Sequence, residues 1–245
     1  MKAEAVQQLS LLELASVDAE LARLAHRSGN LPEQQQLDAS VAEHRESGDR
    51  HAVLGIAIED VDGQIAKLEE EVDSVRKRED RDRKLLHDGA VDPKHVAELQ
   101  HELETLERRQ STLEDTLLET MERREELQSQ QSEQAARTAE LQRAVADAEE
   151  RRDAAVVALE QAGHRAVSRR DELSVSLDAD LFAMYERLRA TGATAAGLLQ
   201  ARRCGACRIE IDRGELSRIA AAAEDDVVRC PECGAILVRT GESGL

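Results

Sequence analysis

Apolar residues recur every three or four positions along most of the chain up to about residue 176, a spacing typical of helices that pack along a narrow seam. Residues 3–28 are predicted to form a first helix. Pro32 is tolerated in the first turn of a helix, so the sequence around 29–32 predicts a break and a restart. The seam of the second helix then runs to about Leu86 and contains Leu37, Val41, Leu54, Ile58, Val61, Ile65, Leu68, Val72 and Val75.

A turn is predicted near residues 87–93, where glycine, proline and two aspartates occur within seven positions. The helix that follows carries a more regular seam, and seven-residue spacing held this long indicates a left-handed supercoil with a partner helix. Its positions are Leu99, Leu103, Leu106, Gln110, Leu113, Leu117, Thr120, Arg124, Leu127, Gln131, Gln134, Thr138, Leu141, Val145, Ala148, Arg152, Ala155, Leu159, Ala162 and Ala166.

The partner of this helix is predicted by folding the chain about Ala90, which brings Leu68 opposite Leu113 and Leu54 opposite Leu127. The polar seam positions then also face one another as two groups at about the same height. One group is His44, Ser47 and His51, and the other is Gln131, Gln134 and Thr138. We therefore expect an intramolecular antiparallel hairpin, a rod on the order of 120 Å long at ~1.5 Å per residue. A parallel dimer could use the same heptads.

Beyond the seam, residues 177–196 are predicted to form a short connecting helix opened by Asp178 or Asp180, with Leu181, Met184, Tyr185 and Leu188 on one face. The helical spacing of Phe182 and Tyr185 favours packing over base stacking. Residues 197–245 have a different pattern, in which short strands and one helix are predicted. The predicted strands cover 197–202, Ile209–Ile211, Val227–Arg229 and Ala235–Arg239, and the predicted helix covers Gly214–Ala223.

All four cysteines of the chain lie in this last region, as two C-x-x-C pairs: Cys204 with Cys207, and Cys230 with Cys233. Each pair on a tight turn directs two sulfurs at one point, so two facing turns make a tetrahedral Zn²⁺ site with no open position for catalysis. Gly234 can adopt the left-handed conformation that such a turn requires. Iron shares this ligand set and disulfides use the same residues, so both remain alternatives. The fold class is therefore mainly α, a long antiparallel coiled-coil hairpin (residues 1–176) with a small C-terminal zinc ribbon.

Composition agrees with long helices, because 34% of residues are charged, 1% are aromatic and the formal net charge is −18. No apolar run reaches membrane-spanning length and no leader pattern is seen, so we expect a cytoplasmic protein without a membrane partner. The overall acidity repels nucleic acid at long range.

Basic charge is concentrated near the cysteines, with seven arginines and three acids between Arg187 and Arg218. Such a patch can bind phosphates, or it can offset the negative charge of a zinc–tetrathiolate centre. The candidate residues for binding nucleic acid or a protein partner are Arg202, Arg203, Arg208, Arg218 and Arg229.

The sequence resembles a family of bacterial proteins that join a coiled-coil hairpin to a C-terminal C4-type zinc ribbon and that includes a flagellar regulator. The matching residues are Leu31-Pro32-Glu33, Asp180-Leu181, Tyr185-Glu186-Arg187, Arg203 to Cys207, and Val228 to Gly234 followed by Ile236-Leu237-Val238. Arg208 stands where a glycine is expected after the second cysteine. The resemblance implies an adaptor, since some members are associated with an alternative sigma factor, flagellar gene expression or RNA.

No catalytic motif is found: the polar tip at His87, Asp88, Asp92 and His95 is interpreted as a solvated turn, and residues 191–197 lack the end of a phosphate-binding loop. We therefore predict no enzyme and no small-molecule substrate. The favoured function is a zinc-ribbon and coiled-coil adaptor for a protein partner, with transcription machinery implied by the resemblance. The alternatives are an RNA- or DNA-binding module that uses the arginines, and an iron redox carrier.

Overall fold

The computed structural model describes residues 1–89 and 92–245; Ala90 and Val91, at the centre of the predicted turn, lie outside the described residues. The chain forms two compact units, one of residues 33–150 and one of residues 1–32 with 151–245. The elements in chain order are α1 (Ala5–Gly29), α2 (Pro32–His87), α3 (Pro93–Ser176), α4 (Ala179–Arg189), β1 (Ala196–Gln200), β2 (Arg203–Cys204), α5 (Arg213–Ala221), β3 (Val228–Arg229) and β4 (Ile236–Val238).

The predicted fold class is confirmed: α2 and α3 form a long antiparallel helical hairpin, and a small region of short strands and one helix follows at the C-terminal end. Inside the unit of residues 33–150, ion pairs across the two helices show the antiparallel direction, because late residues of α2 pair with early residues of α3. These ion pairs are Asp62–Arg124, Glu71–Arg109, Arg76–Glu114, Arg78–Glu102 and Arg83–Glu107.

A layer of polar side chains crosses the seam of this unit at the predicted height. The Ser47 and Thr138 hydroxyl oxygens are 2.8 Å apart, and Gln134 Nε2 donates to Ser47 Oγ at 2.6 Å and to the Ser47 carbonyl at 3.1 Å. The predicted alignment of Ser47 with Gln134 is therefore confirmed. Because these groups satisfy one another, burying them inside the seam costs less than burying them singly.

Burial follows the predicted seam on α3, where every predicted position from Leu99 to Ala166 is buried or half-buried. On α2 the prediction is wrong at one position. Val41 is 45% exposed, and Ser40 faces the seam instead at 9% exposure. Nearer the tip, Glu79 and Asp82 are also buried, and each has one carboxylate oxygen without a hydrogen-bond partner among the described residues.

The other unit has its core where α1 packs against the end of α3, α4 and the sheet. Leu11, Leu14, Leu181 and Ile236 are fully buried in one cluster. Asp178 caps α4 by accepting from the backbone N–H groups at 180 and 181, as predicted. Tyr185 also lies in this core, which confirms a packing role.

The core of this unit also encloses an ion-pair network centred on one carboxylate. Asp18 accepts from the Tyr185 hydroxyl at 2.7 Å and from Arg170 Nε at 2.8 Å, and it forms an ion pair with Arg189 Nε at 3.1 Å. Burial, reinforced by the hydrogen bond to Asp18, raises the pKa of Tyr185 well above its usual range. The tyrosine therefore keeps its proton and serves as a fixed donor inside the core.

The strands form one sheet in the order β2-β1-β4-β3, in which β1 and β4 are parallel and the other neighbours are antiparallel. The predicted strand at Ile209–Ile211 is wrong. Only Glu210 makes a bridge, to Arg203. Arg208 has a left-handed φ of 64°, and Asp212 turns the chain into α5 by capping its first N–H groups, so too few residues remain for a strand.

Candidate metal centre

The first knuckle, residues 203–208, forms directly after β2 and lies closely against β1. The Arg208 N–H donates to the Cys204 carbonyl at 2.7 Å, and the Gly205 N–H donates to the Leu198 carbonyl at 2.8 Å. A Cβ at Gly205 would lie 2.7 Å from that carbonyl oxygen, and one at Gly197 would lie 2.5 Å from the backbone nitrogen of Ala206. Both glycines are therefore required for the knuckle to lie this close to the strand.

The second knuckle, residues 229–234, lies between β3 and β4. The Cys230 N–H donates to the Ala235 carbonyl at 2.8 Å, and the Gly234 N–H donates to the Cys230 carbonyl at 3.0 Å. Gly234 has a φ of +75°, the left-handed conformation predicted for it. Arg229 closes the turn from the side, because its Nε donates to the Gly234 carbonyl at 2.7 Å.

The two knuckles bring the four cysteine sulfurs together, all within 4.8 Å of one another. The Sγ–Sγ distance is 3.8 Å between Cys204 and Cys233 and 3.9 Å between Cys207 and Cys230. A tetrahedron with Zn–S bonds of about 2.3 Å has edges of about 3.8 Å, so the sulfurs fit one zinc ion. All four cysteines are free, and a disulfide would require a separation of about 2.05 Å.

The surroundings of the sulfurs shift the pKa values of three of the four cysteines, in opposite directions. Burial raises the pKa of Cys204 to about 12, against the opposing effect of the backbone N–H groups of Cys207 and Ala206. The Ile209 N–H lowers the pKa of Cys207 by donating to its sulfur, whereas burial raises the pKa of Cys233. Backbone N–H groups aimed at sulfur stabilise thiolates, and a bound cation stabilises them further.

These four cysteines are, within residues 1–89 and 92–245, the one group of at least three His, Cys, Asp or Glu side chains close enough to hold a metal ion. Four thiolates complete the coordination of zinc, so a structural role follows. The described residues of the tip, which include His87 and His95, form no such group. No described helix is long and apolar enough to cross a membrane.

The five candidate arginines are all exposed, but their partners differ. Arg202 and Arg208 form no ion pair within the described part of the chain, and Arg203 lies 3.8 Å from Glu210. Arg218 on α5 is paired with Glu215, and Arg229 is bonded to the second knuckle. Within the described chain, Arg203, Arg218 and Arg229 therefore have a local partner, whereas Arg202 and Arg208 at the first knuckle have none.

Arg239 has a role that the sequence did not predict, because the pattern around it indicated only a strand. Its guanidinium donates to the carbonyls of Ile219, Ala222, Ala223, Glu224 and Asp226. These carbonyls lie at and after the end of α5, where they have no helical partners, so Arg239 holds the end of the helix and the loop after it.

Comparison with known proteins shows similar chains in mycobacteria. An uncharacterised protein of Mycobacterium tuberculosis is 56% identical over 239 residues, covering 98% of both chains. An uncharacterised protein of Mycobacterium leprae is 44% identical over 223 residues, covering 91% of this chain and 96% of the other.

Two solved structures share the fold. One from Mycobacterium smegmatis has a TM-score of 0.81 at 60% identity, covering 98% of this chain and all of the other. The structure of CT398 from Chlamydia trachomatis has a TM-score of 0.67 at 19% identity, covering 96% and 98% of the two chains, and this likeness shows the fold alone.

Residues 203–237 match the C4-type zinc ribbon domain, in agreement with the arrangement of the four cysteines, and one structural zinc ion is assigned to them. Residues 14–193 match the CT398-like coiled coil hairpin domain. The protein therefore belongs to the bacterial family in which a CT398-like coiled-coil hairpin is joined to a C4-type zinc ribbon.

Proposed function

We propose that this protein is a non-enzymatic adaptor that binds a protein partner through the face of its zinc ribbon. In this proposal the zinc ribbon (residues 197–245) binds the partner, and the hairpin (residues 1–176) supplies a second binding surface. Residues 177–196 connect the ribbon to the hairpin. The supporting observation is the closed four-sulfur site, because a zinc ion with four thiolates has no position for a substrate. Transcription machinery is the partner class that the family resemblance suggests, in the cytoplasm.

The face we assign to the partner is the arginine face, formed by Arg202, Arg203 and Arg208 around the first knuckle. Arg202 and Arg208 have φ angles of 65° and 64°, a left-handed conformation that is uncommon for residues with a side chain. Such a conformation costs about 1–2 kcal/mol relative to the right-handed one. Glycine would avoid this cost, so an exposed arginine in its place indicates a use for the guanidinium.

The second candidate function is binding of RNA or DNA by the same face. It is favoured by two exposed guanidinium groups without ion-pair partners in the described chain, which can each donate two hydrogen bonds to a phosphate. It is disfavoured by the absence of Trp from the sequence and by its single Tyr and single Phe, which lie on α4 in the core cluster rather than beside the arginines.

A capture experiment with variants separates the two. The intact protein and Arg208→Gly are used as bait in cell lysate with and without nuclease. We expect Arg208→Gly to keep the melting temperature, because glycine suits the left-handed turn, and to lose the partner. Arg218→Ala is the matched control, since Arg218 is also exposed but is paired with Glu215.

A partner that resists nuclease and depends on Arg208 supports the protein adaptor. A partner lost with nuclease, with binding that weakens steeply as salt rises, would establish the nucleic-acid function instead. Equal capture by Arg208→Gly and the intact protein would contradict both, because both use the arginine face.

A further inference from the structure

The first residues of the chain are tied to the loop that connects the two zinc knuckles. We call residues 1–8 the N-terminal segment and residues 222–227 the inter-knuckle loop. The Ala3 N–H donates to the Asp225 carbonyl at 2.8 Å, and the Val227 N–H donates to the Met1 carbonyl at 3.1 Å. Lys2 adds an ion pair with Asp225 at 2.8 Å.

A buried side chain reinforces this attachment. Gln8 is only 3% exposed, and its Nε2 donates to the Ala3 carbonyl at 2.9 Å and to the Glu224 carbonyl at 3.1 Å. A buried amide that lost these acceptors would have an unsatisfied donor, at a cost of about 1–3 kcal/mol. The N-terminal segment is therefore docked specifically onto the inter-knuckle loop.

The inter-knuckle loop is held in turn from the zinc side. It lies in the chain between Cys207 and Cys230, so both ends of its segment are anchored at the metal. Arg239 follows β4, which leaves the second knuckle, and donates to carbonyls of the loop, including Ala222 at 2.8 Å and Asp226 at 3.0 Å. The chain thus connects the second cysteine pair to Arg239 through β4, and hydrogen bonds connect Arg239 to the loop and the loop to the N-terminal segment.

We propose that zinc occupancy controls the docking of the N-terminal segment, with Arg239 as the residue that couples the metal site to it. With zinc bound, the knuckles hold β4 and the loop in place and the segment docks. Without zinc, the small ribbon loses the metal that drives its folding, and the acceptors for Ala3 and Gln8 are lost. The coupling does not depend on the partner proposed above.

Hydrogen exchange on the full-length protein, with zinc and after chelation, tests the proposal. We expect chelation to deprotect the N-terminal segment together with the ribbon, while residues 33–150 keep their exchange rates and serve as the internal reference. If the N-terminal segment stays as protected without zinc as with it, the proposal is overturned.

Variants test the role of Arg239 separately from metal loss. In zinc-loaded Arg239→Gln, with zinc content measured on the same sample, we expect fast exchange at residues 1–8. Arg218→Gln is the matched control, because this arginine lies in the same ribbon but its guanidinium pairs with Glu215, and the substitution should leave exchange unchanged. Full protection of the segment in zinc-loaded Arg239→Gln would overturn the coupling role.

Coupling between two sites is reciprocal, so weakening the docking must weaken zinc binding by the same factor. The double variant Lys2→Ala with Gln8→Ala leaves all four ligands and Arg239 in place. We expect its zinc affinity, measured by competition with a chelator, to fall about five-fold or more. Affinity equal to that of the unmodified protein would contradict the proposal, whatever the fate of Arg239→Gln.

Discussion

The zinc ribbon and the unit of residues 33–150 hold their structures in opposite ways. In the helical unit the same kinds of contact repeat along two helices, so each seam residue is one of many. In the ribbon a small cluster, which includes Leu199, Ile211, Leu216 and Leu237, packs around the cysteines. Domains below about 70 residues rarely obtain much stability from one apolar core, and a structural metal or disulfides usually supplement it. Single substitutions should therefore lower the stability of the helical unit in small steps, whereas loss of the metal should unfold the ribbon as a whole.

The two regions also differ in the imperfections that they tolerate. The helical unit accommodates the Ser47, Gln134 and Thr138 layer and two buried carboxylates. The ribbon leaves no room even for a methyl group at Gly197 or Gly205. In the helical unit the free-energy cost of a local defect is shared among many equivalent contacts, whereas a knuckle packed against a strand has no such repeated contacts.

The largest effect is expected from removing one zinc ligand. Cys230→Ser should abolish stoichiometric zinc and unfold the ribbon, because structural zinc supplies about 10–16 kcal/mol to folding in modules of this kind. The helical circular dichroism signal should stay nearly intact, since most helical residues lie outside the ribbon. Metal analysis and circular dichroism check this, and full zinc content in the variant would disprove the site.

The next effect is the pH dependence of zinc affinity. Burial raises the pKa of Cys204 to about 12, so below that pH zinc must displace a proton from its thiol. Affinity should therefore rise with pH and fall on acidification by about tenfold per pH unit for each displaced proton. Chelator competition at about pH 6 and about pH 8 measures this, and equal affinities would show that the ligands are not thiols in the metal-free state.

A matched pair of glycine substitutions compares the regions directly. Gly205→Ala should destabilise the ribbon by about 1–3 kcal/mol, because its Cβ would lie 2.7 Å from the Leu198 carbonyl oxygen. Gly63→Ala on α2 meets nothing within 4 Å and should stabilise its helix by about 0.5–1 kcal/mol. Thermal and denaturant unfolding give both values. If both substitutions stabilised or both destabilised the protein, the proposed difference between the ribbon and the helical unit would be wrong.

The last prediction concerns the buried carboxylates of the helical unit. Asp82→Leu should raise the free energy of unfolding by about 1–3 kcal/mol, because Asp82 is 7% exposed and one of its oxygens has no hydrogen-bond partner among the residues that the structure describes. Asp80→Leu is the control, since the Asp80 side chain is 80% exposed, and should change stability little. Urea unfolding separates the two variants, and a destabilised Asp82→Leu would mean that the carboxylate has a function in the seam.

Features that follow from a repeat or a fixed spacing in the sequence were predictable. The alignment of Ser47 with Gln134 follows from counting heptads on both sides of one turn, and the metal site follows from the spacing of two cysteine pairs. Asp82 could also have been found, because it continues the three-four pattern after Val75 and Glu79. Asp82 was not assigned to the seam because it is charged, and seam positions are usually identified from apolar residues alone.

Contacts between distant parts of the chain could not be predicted. Lys2 and Asp225 are separated by 223 positions, and nothing local marks either as a partner. The Ile209–Ile211 strand was predicted from alternation, but the left-handed backbone at Arg208 and the helix cap at Asp212 took precedence. The strand predicted over Ala235–Arg239 corresponds to β4, which ends at Val238 and so leaves Arg239 outside it. The carbonyls to which the Arg239 guanidinium donates lie where α5 ends, and that position could not be predicted from the residues around Arg239.

The most direct test of the contrast is hydrogen exchange of the intact protein during stepwise zinc removal. We predict that residues 196–238 lose protection together, in proportion to the zinc released, while residues 33–150 keep theirs at every step. Loss of protection spread evenly over both regions, or a ribbon that stays protected without metal, would contradict it.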